Sequence, residues 1–131
     1  MGEVTRFAGY AAIFDAPDRG GDVVRRGAFR AEGPVPLLWQ HAGAPVGEVE
    51  RLAEDSRGLR VIGRVAEPRL AAALAAGAVT GLSFGYRARA VRQGTYRELL
   101  GLDLVEVSLV GQPMQPLARV HAVEHVQGRL A

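Results

Sequence analysis

The chain has 131 residues, 48% of them apolar and 23% charged, which suits one globular domain with a real core and leaves little room for two. Cysteine, lysine and asparagine are absent. That removes disulfides, metal–thiolate sites, cysteine nucleophiles, Schiff-base and phosphate-loop lysines, and N-glycosylation acceptors.

Phe7 to Phe14 reads as a first strand, followed by an Asp-, Pro- and Gly-rich turn from Asp15 to Asp22. Asp22 to Phe29 reads as a strand end running into a short helical turn. Val35 to Gln40 is a short apolar strand. Val46–Leu52 and Leu59–Val65 pair as a hairpin around the polar turn Glu54–Gly58. Glu67-Pro68 opens the one clear helix, alanine-rich from Arg69 to Ala76, and Gly77 stops it. Val79–Val91 and Leu104–Val110 read as further strands, with a loop at Gln112–Pro116. The segment from Val120 reads equally as strand or frayed helix. The sum predicts a mainly β single domain, a barrel or a partly closed sheet.

The net charge of +2 is spread along the chain, which is no nucleic-acid footprint, and the aromatics (one Trp, three Tyr, four Phe) are too few for a stacking platform. No uncharged apolar run has the length of a membrane span, and MGEVTRFAGY is no signal peptide. Arg6 stands where an N-terminal acylation signal takes Ser or Thr, so the expected location is cytoplasmic.

The chemical inventory is short. Hydroxyl nucleophiles are limited to Ser56, Ser83, Ser108, Thr5, Thr80 and Thr95, and imidazole bases to His41, His121 and His125. Ser83 lies in Gly81-Leu82-Ser83-Phe84-Gly85, where strand alternation puts both glycines on the serine's face. Side chains of no size on either side leave room for another backbone to approach. The same five residues match the G-x-S-x-G nucleophile elbow, which needs a turn and a helix after the serine. Phe84 to Arg89 alternates like a strand instead. The order Ser83, Asp103, His121 would serve a small esterase of that type.

His41 ends an apolar strand where a loop is expected, a place that can bury one ring edge and expose the other, as a general base needs. Glu106 and Ser108 share one face of an apolar strand. A carboxylate there is either solvated or held by a partner, and an imidazole is one such partner. Asp103, at the start of the same strand, is a second candidate. His121-Ala122-Val123-Glu124-His125 matches the H-x-x-E-H zinc pattern, which requires a helix and a third ligand.

Taken in order, the segments GYAAIFDAPDRGGDVVRRGAF, VPLLWQHAGAPVGEV, RGLRVIGRV, AGAVTGLSFGY and LDLVEVSLVGQPMQPLA resemble the prohead maturation protease family of tailed bacteriophages. The pairing of a WQH-like segment with GLSFGY and an EVSLV strand is the specific part. The resemblance implies a β-barrel with flanking helices, similar to the herpesvirus assembly proteases. It implies one domain over residues 1–131, its core at about 4–118 and a short tail at 119–131.

It also implies a serine endopeptidase with His41 as base, Ser83 as nucleophile and Glu106 as the acidic member, needing no cofactor or metal. The implied substrates are the major capsid protein and its scaffold segment, cut inside the assembling procapsid in the bacterial host, with self-cleavage. No membrane or specific nucleic acid is implied, and a homo-oligomer is compatible with it. Gene transfer agents carry similar proteases. The oxyanion would fall to backbone N–H groups, Gln or Arg, with Leu109–Gln112 as the candidate segment. A non-catalytic capsid-assembly or scaffold-binding module of the same fold is the alternative reading.

Overall fold

The computed structural model describes the backbone of residues 3–127 and the side chains of residues 5–124. The elements in chain order are β1 (Glu3–Ile13), β2 (Asp22–Val24), β3 (Phe29–Arg30), β4 (Pro36–Trp39), β5 (Ala42–Glu54), β6 (Gly58–Val65), α1 (Pro68–Ala75), β7 (Gly81–Gln93), β8 (Arg97–Val110) and β9 (Val120–Gln127). One helix flanks the strands among the described residues, where the family resemblance implies several. Glu67 caps it, its carboxylate accepting from the N–H groups of Arg69 and Leu70. Its face Leu70 and Leu74 is buried. No helix among the described residues is long and apolar enough to cross a membrane.

All strands join one sheet in the order β2-β8-β4-β5-β6-β1-β9, with β3 and β7 also on β8. β8 organises it. One edge carries β2, β3 and β4 in turn, all parallel, and the other carries β7 antiparallel over its whole length. The sheet curls without closing. Gly81 bridges to Arg119, the Leu82 N–H donates to the Ala118 carbonyl, and the Tyr10 N–H donates to the Arg119 carbonyl. This one stitch ties the start of β7 towards β1. The segment ambiguous in sequence is β9, an antiparallel partner of β1.

Alternation puts Phe7, Leu37, Val61, Leu82, Val107 and Leu109 inside the curl, together with Leu74 of α1. A second cluster, Phe14, Val24, Ala28, Leu99 and Leu102, sits under the far half of β8. Over that half, ion pairs join the short strands to the long ribbon. Arg97 holds Asp22 through two bonds, and Glu98 accepts from both Arg92 and Arg25. The hydrogen bonds from Arg92 first, and then Arg25, hold the Glu98 carboxyl down to about 2, below its ordinary 4.5.

A depressed folded-state value stabilises the fold above the unfolded value and is lost as pH falls towards the folded one. Glu98→Gln is therefore expected to lower Tm at neutral pH. Its gap from wild type should close between pH 4.5 and about 2. Thermal unfolding of the two proteins across that window checks it, and a gap that does not narrow refutes it.

Candidate active site

β8 and β7 present one outward face to the site. Ser83 pairs across the ladder with Ser108, and Gly85 with Glu106, so the side chains of Ser83, Glu106 and Ser108 share that face. Directly opposed Cβ atoms of an antiparallel pair lie about 5 Å apart. The neighbouring residues Leu82, Val107 and Leu109 point into the core and fix which way the face turns.

His41 arrives from β4. Trp39 pairs with Ala42, so Gln40 and His41 are the two central residues of a tight hairpin turn, not part of a longer loop. Both are left-handed, with φ 55° and 62°. Such a turn usually takes Asn or Gly, because a bulkier residue is strained in this region. Two bonds from β8 and one from Gly111 just after it hold the turn. The Gln40 N–H donates to the Leu109 carbonyl at 3.0 Å, Gln40 Oε1 accepts from the Gly111 N–H at 2.7 Å, and the His41 N–H donates to Ser108 Oγ at 3.1 Å.

The imidazole Nδ1 is hydrogen-bonded to Glu106 Oε1. The other carboxylate oxygen, Oε2, accepts from Ser108 Oγ at 2.5 Å. Glu106 is 6% exposed and Ser108 fully buried, while the His41 side chain is 42% exposed. A buried carboxylate behind a half-open imidazole favours the tautomer with its proton on Nδ1, which turns Nε2 to where solvent or substrate can reach it. Ser83 is 8% exposed and makes no side-chain hydrogen bond among the described residues. The structure thus joins His41 to Glu106 directly and sets Ser83 on the same face, beside Ser108, without a bond to the imidazole. Such bonds are often long in free enzymes and tighten on substrate.

The two glycines flanking Ser83 are filled from within, rather than open as their spacing suggests. A Cβ at Gly85 would stand 2.6 Å from Glu106 Oε1, and one at Gly81 would stand 2.7 Å from the Val110 carbonyl and 2.9 Å from Pro113. The absent side chain at 85 is the space the carboxylate occupies. Gly85→Ala is expected to push Glu106 off the imidazole, seen by NMR as loss of the hydrogen-bonded His41 Nδ1–H signal in a variant that stays folded. A signal unchanged from wild type would refute this.

The remaining sequence candidates fall elsewhere. Asp103 is held by Arg30 and Arg89 and faces no imidazole among the described residues. His121 packs on the Tyr10 ring at 5.9 Å, so the Ser83–Asp103–His121 grouping is not assembled. Ser83 lies inside a strand with no turn or helix after it, unlike a nucleophile elbow. His121-x-x-Glu124-His125 lies on β9, where residues four apart are about 13 Å apart along the strand, too far for one zinc. Within Leu109–Gln112, the Gly111 N–H is already taken by Gln40. The role of Gln40 and Ser108 in holding the His41 turn escaped sequence reasoning, because both act across strands far apart in the chain.

A mainly β sheet carrying a buried carboxylate bound to a half-open imidazole, with a strand serine on the same face, is the arrangement a serine hydrolase would use. The caudovirus prohead serine protease family matches residues 2–129, and the chain belongs to that family. It is 35% identical over 92 residues to the prohead protease of Enterobacteria phage HK97, a match covering 61% of this chain and 41% of that protein. The chain thus spans about two fifths of the length of this relative. Among solved structures, KSHV protease in complex with a hexapeptide phosphonate inhibitor aligns with a TM-score of 0.54 at 15% identity, covering 98% of this chain and 66% of that one. That likeness is one of fold.

Proposed function

We propose that the chain is a serine endopeptidase of capsid maturation, cutting the scaffold or N-terminal segment of the major capsid protein inside the procapsid of the bacterial host, and able to cut itself. The observation that carries this reading is the buried Glu106 carboxylate bound to the His41 imidazole on the face that bears Ser83. Family membership supports the substrate class.

In this reading His41 Nε2 takes the Ser83 proton as Oγ attacks the peptide carbonyl. The resulting imidazolium gives that proton to the leaving amine, and an acyl-enzyme remains. Water then attacks with His41 again as base, and Ser83 leaves with its proton restored. Glu106 keeps the ring oriented and stabilises its charge. Past Leu82 the outer edge of β7 carries no strand among the described residues. Its free N–H and C=O groups would receive an extended peptide as one more strand.

Co-expression with the major capsid protein encoded nearby, wild type against Ser83→Ala, tests this by intact mass. A defined truncation of the capsid protein, seen with wild type alone, is expected. Uncut capsid protein in particles shown to have assembled would favour the non-catalytic assembly module of the same fold.

A further inference from the structure

We infer that Ser108 is a positioning residue, whose single hydroxyl sets both the acid and the base of this site. The inference rests on the roles of Ser83, His41 and Glu106 proposed above. Its own ground is the pair of bonds on Ser108 Oγ. The oxygen accepts the His41 backbone N–H at 3.1 Å, and it lies 2.5 Å from Glu106 Oε2.

A serine hydroxyl has one proton and two lone pairs. The His41 N–H can only meet a lone pair, which leaves the hydroxyl proton for Glu106 Oε2. Glu106 therefore receives a donor on each oxygen, Ser108 on one and the imidazole Nδ1 on the other. An ionised carboxyl has both oxygens satisfied when the neutral imidazole carries its proton on Nδ1. That is the arrangement which leaves Nε2 free to accept.

The same atom ties down the backbone of a residue held in a left-handed turn, φ 62°. The register of β4 on β8, Leu38 opposite Ser108, brings the turn to that place. Ser108 is fully buried, so water does not replace its hydroxyl when it is removed. Gln40 holds the turn too, through the Gly111 N–H, but among the described residues its side chain makes no hydrogen bond to Glu106 or the imidazole. Ser108 alone among the described residues bonds both Glu106 and the His41 backbone.

The test uses two readouts on one set of proteins. The rate of Ser83 modification by a fluorophosphonate is followed by intact mass, and the His41 Nδ1–H proton is observed by NMR on histidine labelled with nitrogen-15. Wild type is expected to show a downfield, slowly exchanging Nδ1–H signal. Ser108→Ala is expected to lose that signal to exchange and to label about 10- to 100-fold more slowly, with its far-ultraviolet circular dichroism unchanged. Ser108→Thr keeps the hydroxyl and is expected to restore both. Should Ser108→Ala not fold, Ser108→Cys, nearly isosteric with a weaker donor, is expected to give intermediate labelling and a broadened signal.

An unchanged Nδ1–H signal in Ser108→Ala or Ser108→Cys overturns the inference. So does equal loss of labelling in the Ala and Thr variants with the signal intact, since the side chain would then only pack. If wild type resists the fluorophosphonate while the signal responds as stated, the hydrolase reading fails and the positioning role stands.

Discussion

Ser83→Ala is expected to lower peptide cleavage about 10⁴-fold or more while leaving the fold as stable as before. The two halves of that result have separate causes. The hydroxyl is the only group the substitution removes, and in the proposed mechanism its oxygen is the attacking atom, so no acyl-enzyme can form. In the free protein it makes no side-chain hydrogen bond among the described residues, so no bond is lost from the fold and no partner is stranded. Its cross-strand neighbour Ser108 is satisfied by Glu106 and the His41 backbone. Steady-state cleavage, Tm and the mass of a fluorophosphonate adduct are the measurements. Cleavage within tenfold of wild type would assign the nucleophile to another residue.

Glu106→Gln is expected to lower kcat by about 10³- to 10⁴-fold with KM nearly unchanged. The amide matches the carboxylate in shape, so packing beside Gly85 is kept. Its hydrogen bonding is not equivalent. Ser108 donates to one side-chain oxygen of Glu106, and the amide oxygen can take that place. The amide NH₂ then faces His41 Nδ1, which must become an acceptor. The ring proton moves to Nε2, the atom that receives the proton of Ser83 in the proposed mechanism. The loss falls on the chemical step, because the residue touches the imidazole and not the peptide. A rise in KM at unchanged kcat would instead make Glu106 part of the binding surface. Glu106→Ala adds a cavity and unpairs His41, so it should cost stability as well.

How far the chain discloses this site depends on the range of each interaction. Alternation in 104–110 puts Glu106 and Ser108 on one face, and alternation in 79–91 puts Ser83 with its flanking glycines. Both are period-two facts and survive folding. The glycines mislead on their purpose. Their spacing suggests room for a substrate, whereas at Gly85 the room is used by Glu106 reaching towards His41. By sequence Glu106 is the first candidate acid and Asp103, at the start of the same strand, the second. Arg30 and Arg89, from two other strands, pair with Asp103, while Glu106 is the carboxylate that meets the imidazole.

The strand periods, the capped helix, the absence of cysteine and lysine, and the short inventory of serines and histidines are determined by the sequence alone. Each depends on residue type and near neighbours. So does the order of the WQH, GLSFGY and EVSLV segments that marks the family. Three parallel pairings along one edge of β8 belong to the tertiary structure, since short strands such as Phe29–Arg30 have no local signature strong enough to choose a partner. The left-handed turn at Gln40 and His41 belongs to it as well. Local propensity disfavours those residues there, and bonds from β8 and Gly111, about 70 residues away in the chain, hold them in place. The contact of His41 with Glu106 is therefore a product of register. Once the apolar faces of β4 and β8 are buried together, a shift of one residue would expose them, and the base is held beside its acid for the same reason.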